Sequence, residues 1–106
     1  MRNIITVGTD EFDSKKALEF SYAHKNDLIN IYASAGLHPN SVDSSGDSLL
    51  SIKDLVVSGG YGDKLVAIGE CGLDYYRNTA SKVAQADALK FQIELAISQG
   101  LPMIFH

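Results

Sequence analysis

Four ionisable residues follow four apolar runs of this chain. Asp10 follows Asn3–Val7, His38 follows Ile31–Gly36, Glu70 follows Leu65–Gly69, and His106 follows Pro102–Phe105. Carboxylate and imidazole together are the composition of metal sites and of acid–base pairs. Glu70 is the most demanding of the four. A carboxylate at the end of a buried apolar strand must find a cation, a metal or hydrogen-bond donors, because burying it unpaired is costly. Beyond it come Asp74, Tyr75, Tyr76 and Arg77, a carboxylate and an aromatic-basic cluster of the kind that moves protons or holds phosphates.

Each residue also has a plain structural reading. Asp10 is a common turn former and can simply open the first helix. His38, before Pro39, can be a surface loop residue. Glu70 can form a structural salt bridge with Arg77, Asp74 can cap a turn, and Tyr75 and Tyr76 can be core or interface aromatics. His106 can be merely exposed. Cys71 reads as a small core residue rather than a nucleophile, since nothing near it in sequence marks a thiolate environment. His24 reads as a surface residue favoured by the helix dipole at a helix C-terminus.

The elements that must position these groups alternate. The four apolar runs read as short strands, apolar throughout as expected where both faces are covered. Three helical patterns separate them. The first has Asp13 or Ser14 as its cap, runs to about Lys25, and places Leu18 and Tyr22 on one face. The second opens near Asp47, carries Leu49, Ile52, Leu55 and Val56 at helical spacing, and stops at Gly59-Gly60. The third repeats Ala84, Ala88, Phe91 and Leu95, and ends at Gly100 and Pro102. Strand–helix alternation makes a parallel α/β sheet with right-handed crossovers. Sites in such sheets lie at the carboxyl ends of the strands, where Asp10, His38, Glu70 and His106 would share one rim. Asn40–Ser48 is the one loop-like polar stretch.

Bulk properties narrow the classes. With 106 residues, 45% apolar and 21% charged, the chain has the composition of a single globular domain. It contains no apolar run of about 18 residues, so no transmembrane helix and no membrane partner are expected, and its start does not resemble a signal peptide. The lone Cys71 favours a reducing compartment, and an intracellular location, cytoplasmic or nuclear, is expected. A net charge of −4 argues against a broad electrostatic grip on nucleic acid, but not against nucleic acid as a substrate bridged by cations. A flavodoxin-like nucleotide binder is disfavoured, because Val7–Asp13 lacks the glycines of a phosphate loop.

The stretches "GLHP" (Gly36–Pro39), "AIGECGLDYYR" (Ala67–Arg77) and "LPMIFH" (Leu101–His106) resemble the TatD-type metal-dependent deoxyribonucleases, (β/α)8-barrel hydrolases of the amidohydrolase-like superfamily. The opening "NIITVGTD" and the helix "SKKALEF" resemble the family's second strand and second helix. Gln85, Gln92 and Ala96 fall where the fourth helix of the family carries Gln, Gln and Ala. Leu89 stands where many members have Phe. The resemblance covers essentially the whole chain, and Cys71 is most similar to the eukaryotic branch.

The resemblance implies a partial TIM barrel of four parallel strands and three helices, family strands two to five, within one incomplete domain over residues 1–106. It implies divalent metal ions, Mg²⁺, Mn²⁺ or Zn²⁺, usually two, and DNA as the substrate of the intact enzyme. Glu70 and His106 resemble metal ligands. His38 resembles a catalytic-site histidine that contacts substrate or phosphate rather than metal. Asp74, Tyr75 and Arg77 belong to a substrate-side loop near the site. The family's His-x-His pair is absent, as are its later histidine and aspartate. The chain therefore reads as a fragment, inactive alone, with two open sheet edges that favour self-association. The alternatives are a catalytically inactive half-barrel remnant or interaction module, and a superfamily hydrolase acting on a non-nucleic-acid substrate.

Overall fold

The computed structural model describes residues 2–24, 29–42, 46–76 and 80–105. Four strands, β1 (Arg2–Val7), β2 (Ile29–Ala35), β3 (Leu65–Cys71) and β4 (Met103–Phe105), alternate with three helices, α1 (Glu11–Ala23), α2 (Asp47–Ser58) and α3 (Lys82–Gln99). Short 3₁₀ turns at Pro39–Ser41 and Gly62–Lys64 complete the order. The strands lie in sequence order and every pairing is parallel, with Ile4 opposite Ile31, Ala35 opposite Ile68, and Gly69 opposite Ile104. Four consecutive βα-type strands in one parallel sheet form half of a (β/α)8 barrel.

Local chemistry explains where the helices begin. Only three residues separate β1 from α1. Asp10 accepts from the Asp13 N–H at 2.7 Å, and the Asp13 carboxylate accepts from the Thr9 N–H and hydroxyl at 3.0 and 2.9 Å. The cap is thus Asp10 rather than Asp13 or Ser14, because this reciprocal pair satisfies the first free N–H groups at the strand end itself. Ser14 is buried instead; its hydroxyl accepts from the Gly36 N–H and donates to the Gly36 carbonyl. The helix ends at Ala23, earlier than its pattern suggested, and Lys25 lies outside the described residues. His24 is exposed and stacks on Phe20. Ser81 caps α3 by accepting from the Ala84 N–H, and Gly100 closes it with φ at 66°.

The core lies between the sheet and its helices. Leu37, Ile52, Ile68, Ala88 and Leu95 pack β3 against α2 and α3, and Leu18, Ala17, Ala33 and Ala35 pack β2 against α1. Tyr22 does not join Leu18 in this interior. It is half exposed and meets Tyr61 edge-on, with ring centroids 6.3 Å apart. β1 also departs from the reading of strands covered on both faces, with Ile4 48% and Ile5 51% exposed. Phe105, on β4, is 61% exposed. These are the two edge strands of the sheet, so their apolar side chains lack the neighbour that covers β2 and β3.

Candidate active site

The carboxyl ends of the first three strands are tied together by backbone hydrogen bonds. The His38 N–H donates to the Thr9 carbonyl, and the Glu70 N–H to the Gly8 carbonyl, each at 2.8 Å. The Gly8 N–H donates to the Ser34 carbonyl at 3.2 Å. The segments leaving β1, β2 and β3 therefore meet over one rim. Glycine makes the approach possible. A side chain on Gly36 would come within 2.6 Å of the Gly69 backbone, and one on Gly69, at φ +150°, would meet the Ile104 carbonyl. The peptide between Gly69 and Glu70 is cis.

This arrangement brings His38 and Glu70 together, with Nε2 3.7 Å from Oε1. Both side chains are only partly exposed, at 14% and 26%. The other ring nitrogen of His38, Nδ1, accepts from the Asn40 N–H at 3.1 Å. In the neutral ring this places the proton on Nε2, facing the carboxylate. A histidine that ligates a metal usually donates its second N–H to an acceptor. His38 has the opposite arrangement, so it presents a donor suited to an anion.

The remaining candidates divide. Asp74 accepts from the Tyr76 N–H at 3.1 Å, which closes a turn. Tyr75 is exposed beneath the ammonium of Lys82, 5.1 Å from its ring centroid, and Tyr76 is 96% exposed, so neither is a core aromatic. Asp10 acts as a helix cap at the same rim. Cys71 is fully buried with its thiol donating to the Ile104 carbonyl at 3.6 Å. Burial first, and the Glu70 charge second, push that thiol up to about 11, which removes it as a nucleophile near neutral pH. Arg77 and His106 lie outside the described residues. Among the described residues no three His, Cys, Asp or Glu side chains converge on a metal-sized point. Glu70 is a suitable oxygen donor at the rim, and by itself it supplies only part of a divalent ion's coordination.

The sequence singled out Gln85 and Gln92 without assigning them work. Both are buried on α3. Gln92 bonds both polar atoms of the Leu37 backbone, accepting from its N–H at 2.9 Å and donating to its carbonyl at 3.2 Å. Gln85 does the same for Asp74, at 2.8 and 3.2 Å. Their legible signal was a polar amide on the face that also carries Ala88 and Leu95.

Comparison with known proteins decides the family, because the TatD-related DNase family matches residues 1–106. The chain belongs to this family. It is 33% identical over 104 residues to the 3'-5' ssDNA/RNA exonuclease TatD of Erwinia tasmaniensis, covering 97% of this chain and 38% of that protein. It is 36% identical over 107 residues to the uncharacterized metal-dependent hydrolase YabD of Bacillus subtilis, covering 100% and 39%. Among solved structures, the TatD homologue YJJV of Escherichia coli superposes with a TM-score of 0.74 at 27% identity over 98% of this chain and 38% of that one. A TatD-family hydrolase from Entamoeba histolytica gives the same TM-score at 30% identity, covering 98% of this chain and 36% of that one. The chain thus spans well under half the length of these TatD-type proteins. Among the described residues, no helix is long and apolar enough to cross a membrane.

Proposed function

We propose that this chain carries one side of the active site of a divalent-metal-dependent hydrolase that cleaves phosphodiester bonds in DNA by metal-activated water. The observation that carries the reading is the His38–Glu70 pair at 3.7 Å on the carboxyl rim of a parallel half-barrel. Family membership and the relatives named as exonucleases and metal-dependent hydrolases support it. Glu70, with His106 by resemblance, would hold one or two ions, Mg²⁺, Mn²⁺ or Zn²⁺, which supply Lewis acidity and a water of lowered pKa. His38 offers its Nε2–H to a phosphate oxygen, held in that orientation by the Asn40 N–H on Nδ1. Asp74 and Tyr75, with Arg77 by resemblance, would form the substrate side, where the exposed Tyr75 ring beside Lys82 suits an unpaired base next to its phosphate. The location proposed is intracellular, cytoplasmic or nuclear.

The incomplete ligand set among the described residues, together with the exposed edge strands, favours a second statement. The chain on its own is catalytically silent and works only when its barrel is completed. Calorimetric titration of the chain with Mn²⁺ tests the first statement. Heat lost in Glu70→Ala but kept in His38→Gln is expected, and identical titrations for the unsubstituted chain and Glu70→Ala would sink the metal reading. Metal-dependent oligonucleotide cleavage by the chain alone, abolished in Glu70→Ala, would overturn the second.

A further inference from the structure

Gln85 and Gln92 of α3 are buried, and among the described residues their bonds go to main-chain atoms. Each spends its amide on the backbone of a loop that carries candidate site residues. Gln92 takes both polar atoms of Leu37, the residue before His38, and its Nε2 also donates to the Ala88 carbonyl within α3 at 3.2 Å. Gln85 takes both backbone polar atoms of Asp74, the residue before Tyr75, and its Nε2 donates to the Ala80 carbonyl at 3.3 Å. Gln85 is 0% exposed and Gln92 1%. A primary amide pairing with a peptide N–H and C=O reproduces one rung of a sheet ladder, at a place where each loop has left its strand. Seven residues separate the two glutamines, about two helical turns, so both lie on one face of α3 roughly 10 Å apart along its axis.

We infer that Gln85 and Gln92 are positioning residues, through which α3 sets the placement of the His38 loop and the Asp74–Tyr75 loop on the two sides of the site. This rests on the proposed function for its purpose, but not for its geometry. Packing alone would be served better by Leu or Met at these positions, since a buried amide must be fully partnered to be tolerated. Here it is fully partnered, and the partners are loop backbone. A carboxylate could accept from the loop N–H but could not donate to the loop carbonyl, and a shorter Asn would not reach. The requirement is therefore for glutamine itself at both positions.

Amide hydrogen exchange on the full chain tests the inference. In the unsubstituted protein, the N–H groups of Leu37 and Asp74 should be as protected as that of Ile68 in β3. Gln92→Met fills the same volume without the amide. It should speed exchange at Leu37 by about tenfold to a hundredfold, as expected for loss of two buried hydrogen bonds, and leave Asp74 within about twofold. Gln85→Met should do the reverse. The ring resonances of His38 should shift or broaden in Gln92→Met alone, and those of Tyr75 in Gln85→Met alone, a signature that uniform loosening of the core would not produce. Free exchange at Leu37 and Asp74 in the unsubstituted protein would overturn the inference. So would variants that speed Leu37, Asp74 and Ile68 together. If either variant fails to fold, the exchange of the unsubstituted chain decides. Mn²⁺ titration of the same samples keeps the two ideas apart: absent metal binding with selective loop exchange would sink the functional reading and leave the positioning role standing.

Discussion

The middle and the margins of this sheet are built from the same kinds of residue and end in opposite states. In β2 and β3, Ala33, Ala35, Ala67 and Ile68 are buried, and backbone bonds tie the carboxyl ends of both to Gly8 and Thr9 at the end of β1. In β1 and β4, Ile4, Ile5 and Phe105 are about half exposed or more. The difference is one of neighbours and not of sequence. An inner strand has a ladder on both sides and a helix layer across one face, whereas each margin has one unpaired backbone edge. The packing of the half-barrel is therefore finished at its inner strands, which carry Glu70 and lead to His38, and unfinished at its margins. That division explains how the His38–Glu70 pair can be held at 3.7 Å in a chain that covers 38% of the length of the TatD exonuclease it matches in Erwinia.

The sharpest way to break the comparison is to delete equal side-chain mass in both regions. Ile68→Ala, in the fully buried centre of β3, should cost about 2–5 kcal/mol, the range for emptying a packed site. Ile5→Ala, half exposed on β1, should cost well under half as much. Urea unfolding of the two variants measures both, and equal losses would mean that β1 is as well packed as β3. Next in size is association. Ile5→Lys places a charge on the open edge, the means by which natural edge strands avoid pairing. The chain is expected to self-associate at micromolar concentrations, and this substitution should weaken association by about tenfold, or ~1.4 kcal/mol, in sedimentation velocity. Association unaffected by Ile5→Lys would place the contact elsewhere. Smaller still is the cap. Asp10→Ala should cost about 1 kcal/mol of stability, since Asp10 accepts from the Asp13 N–H. It should leave Mn²⁺ binding unchanged if Asp10 serves α1 and not the metal. A loss of metal affinity would return Asp10 to the site.

Much of this architecture was legible in the sequence, because alternating apolar runs and helical patterns report local geometry. Glu70 could be placed at a strand end for the same reason, and "GECGLDYYR" carried the family. Two things were not legible. Ile4 and Ile5 are as apolar as Ala67 and Ile68, and periodicity cannot say whether a strand has a neighbour on both sides; only the sheet order does. The task of Gln85 and Gln92 also depends on where loops 11 and 55 residues away in sequence come to rest. A buried amide announces that it needs partners, but not which. Tyr22 failed for a related reason. Its spacing from Leu18 fits one face of α1, yet its ring reaches past the core edge to Tyr61.

An effect that shows only at alkaline pH probes the finished side of the comparison. Cys71 is adjacent to Glu70 and fully buried, and its thiol is pushed from 9.0 up to about 11, first by burial and then by the carboxylate. In the unfolded chain the thiol loses its proton near its ordinary value. Between pH 9 and 11 the folded state therefore holds more protons than the unfolded one, and stability must fall as pH rises through that window, with no contribution below it. Tyr61 is raised as well, by burial and by Glu19, and it acts in the same direction at higher pH. The useful quantity is thus the difference between the unsubstituted chain and Cys71→Ala, measured by urea unfolding in chelator from pH 8 to 11. The downward slope should be shallower in Cys71→Ala, and thiol alkylation of the folded chain should stay slow through pH 9. Fast alkylation at pH 8, or identical slopes, would show that the strand end beside Glu70 opens to solvent, and that the rim is no better finished than the edges.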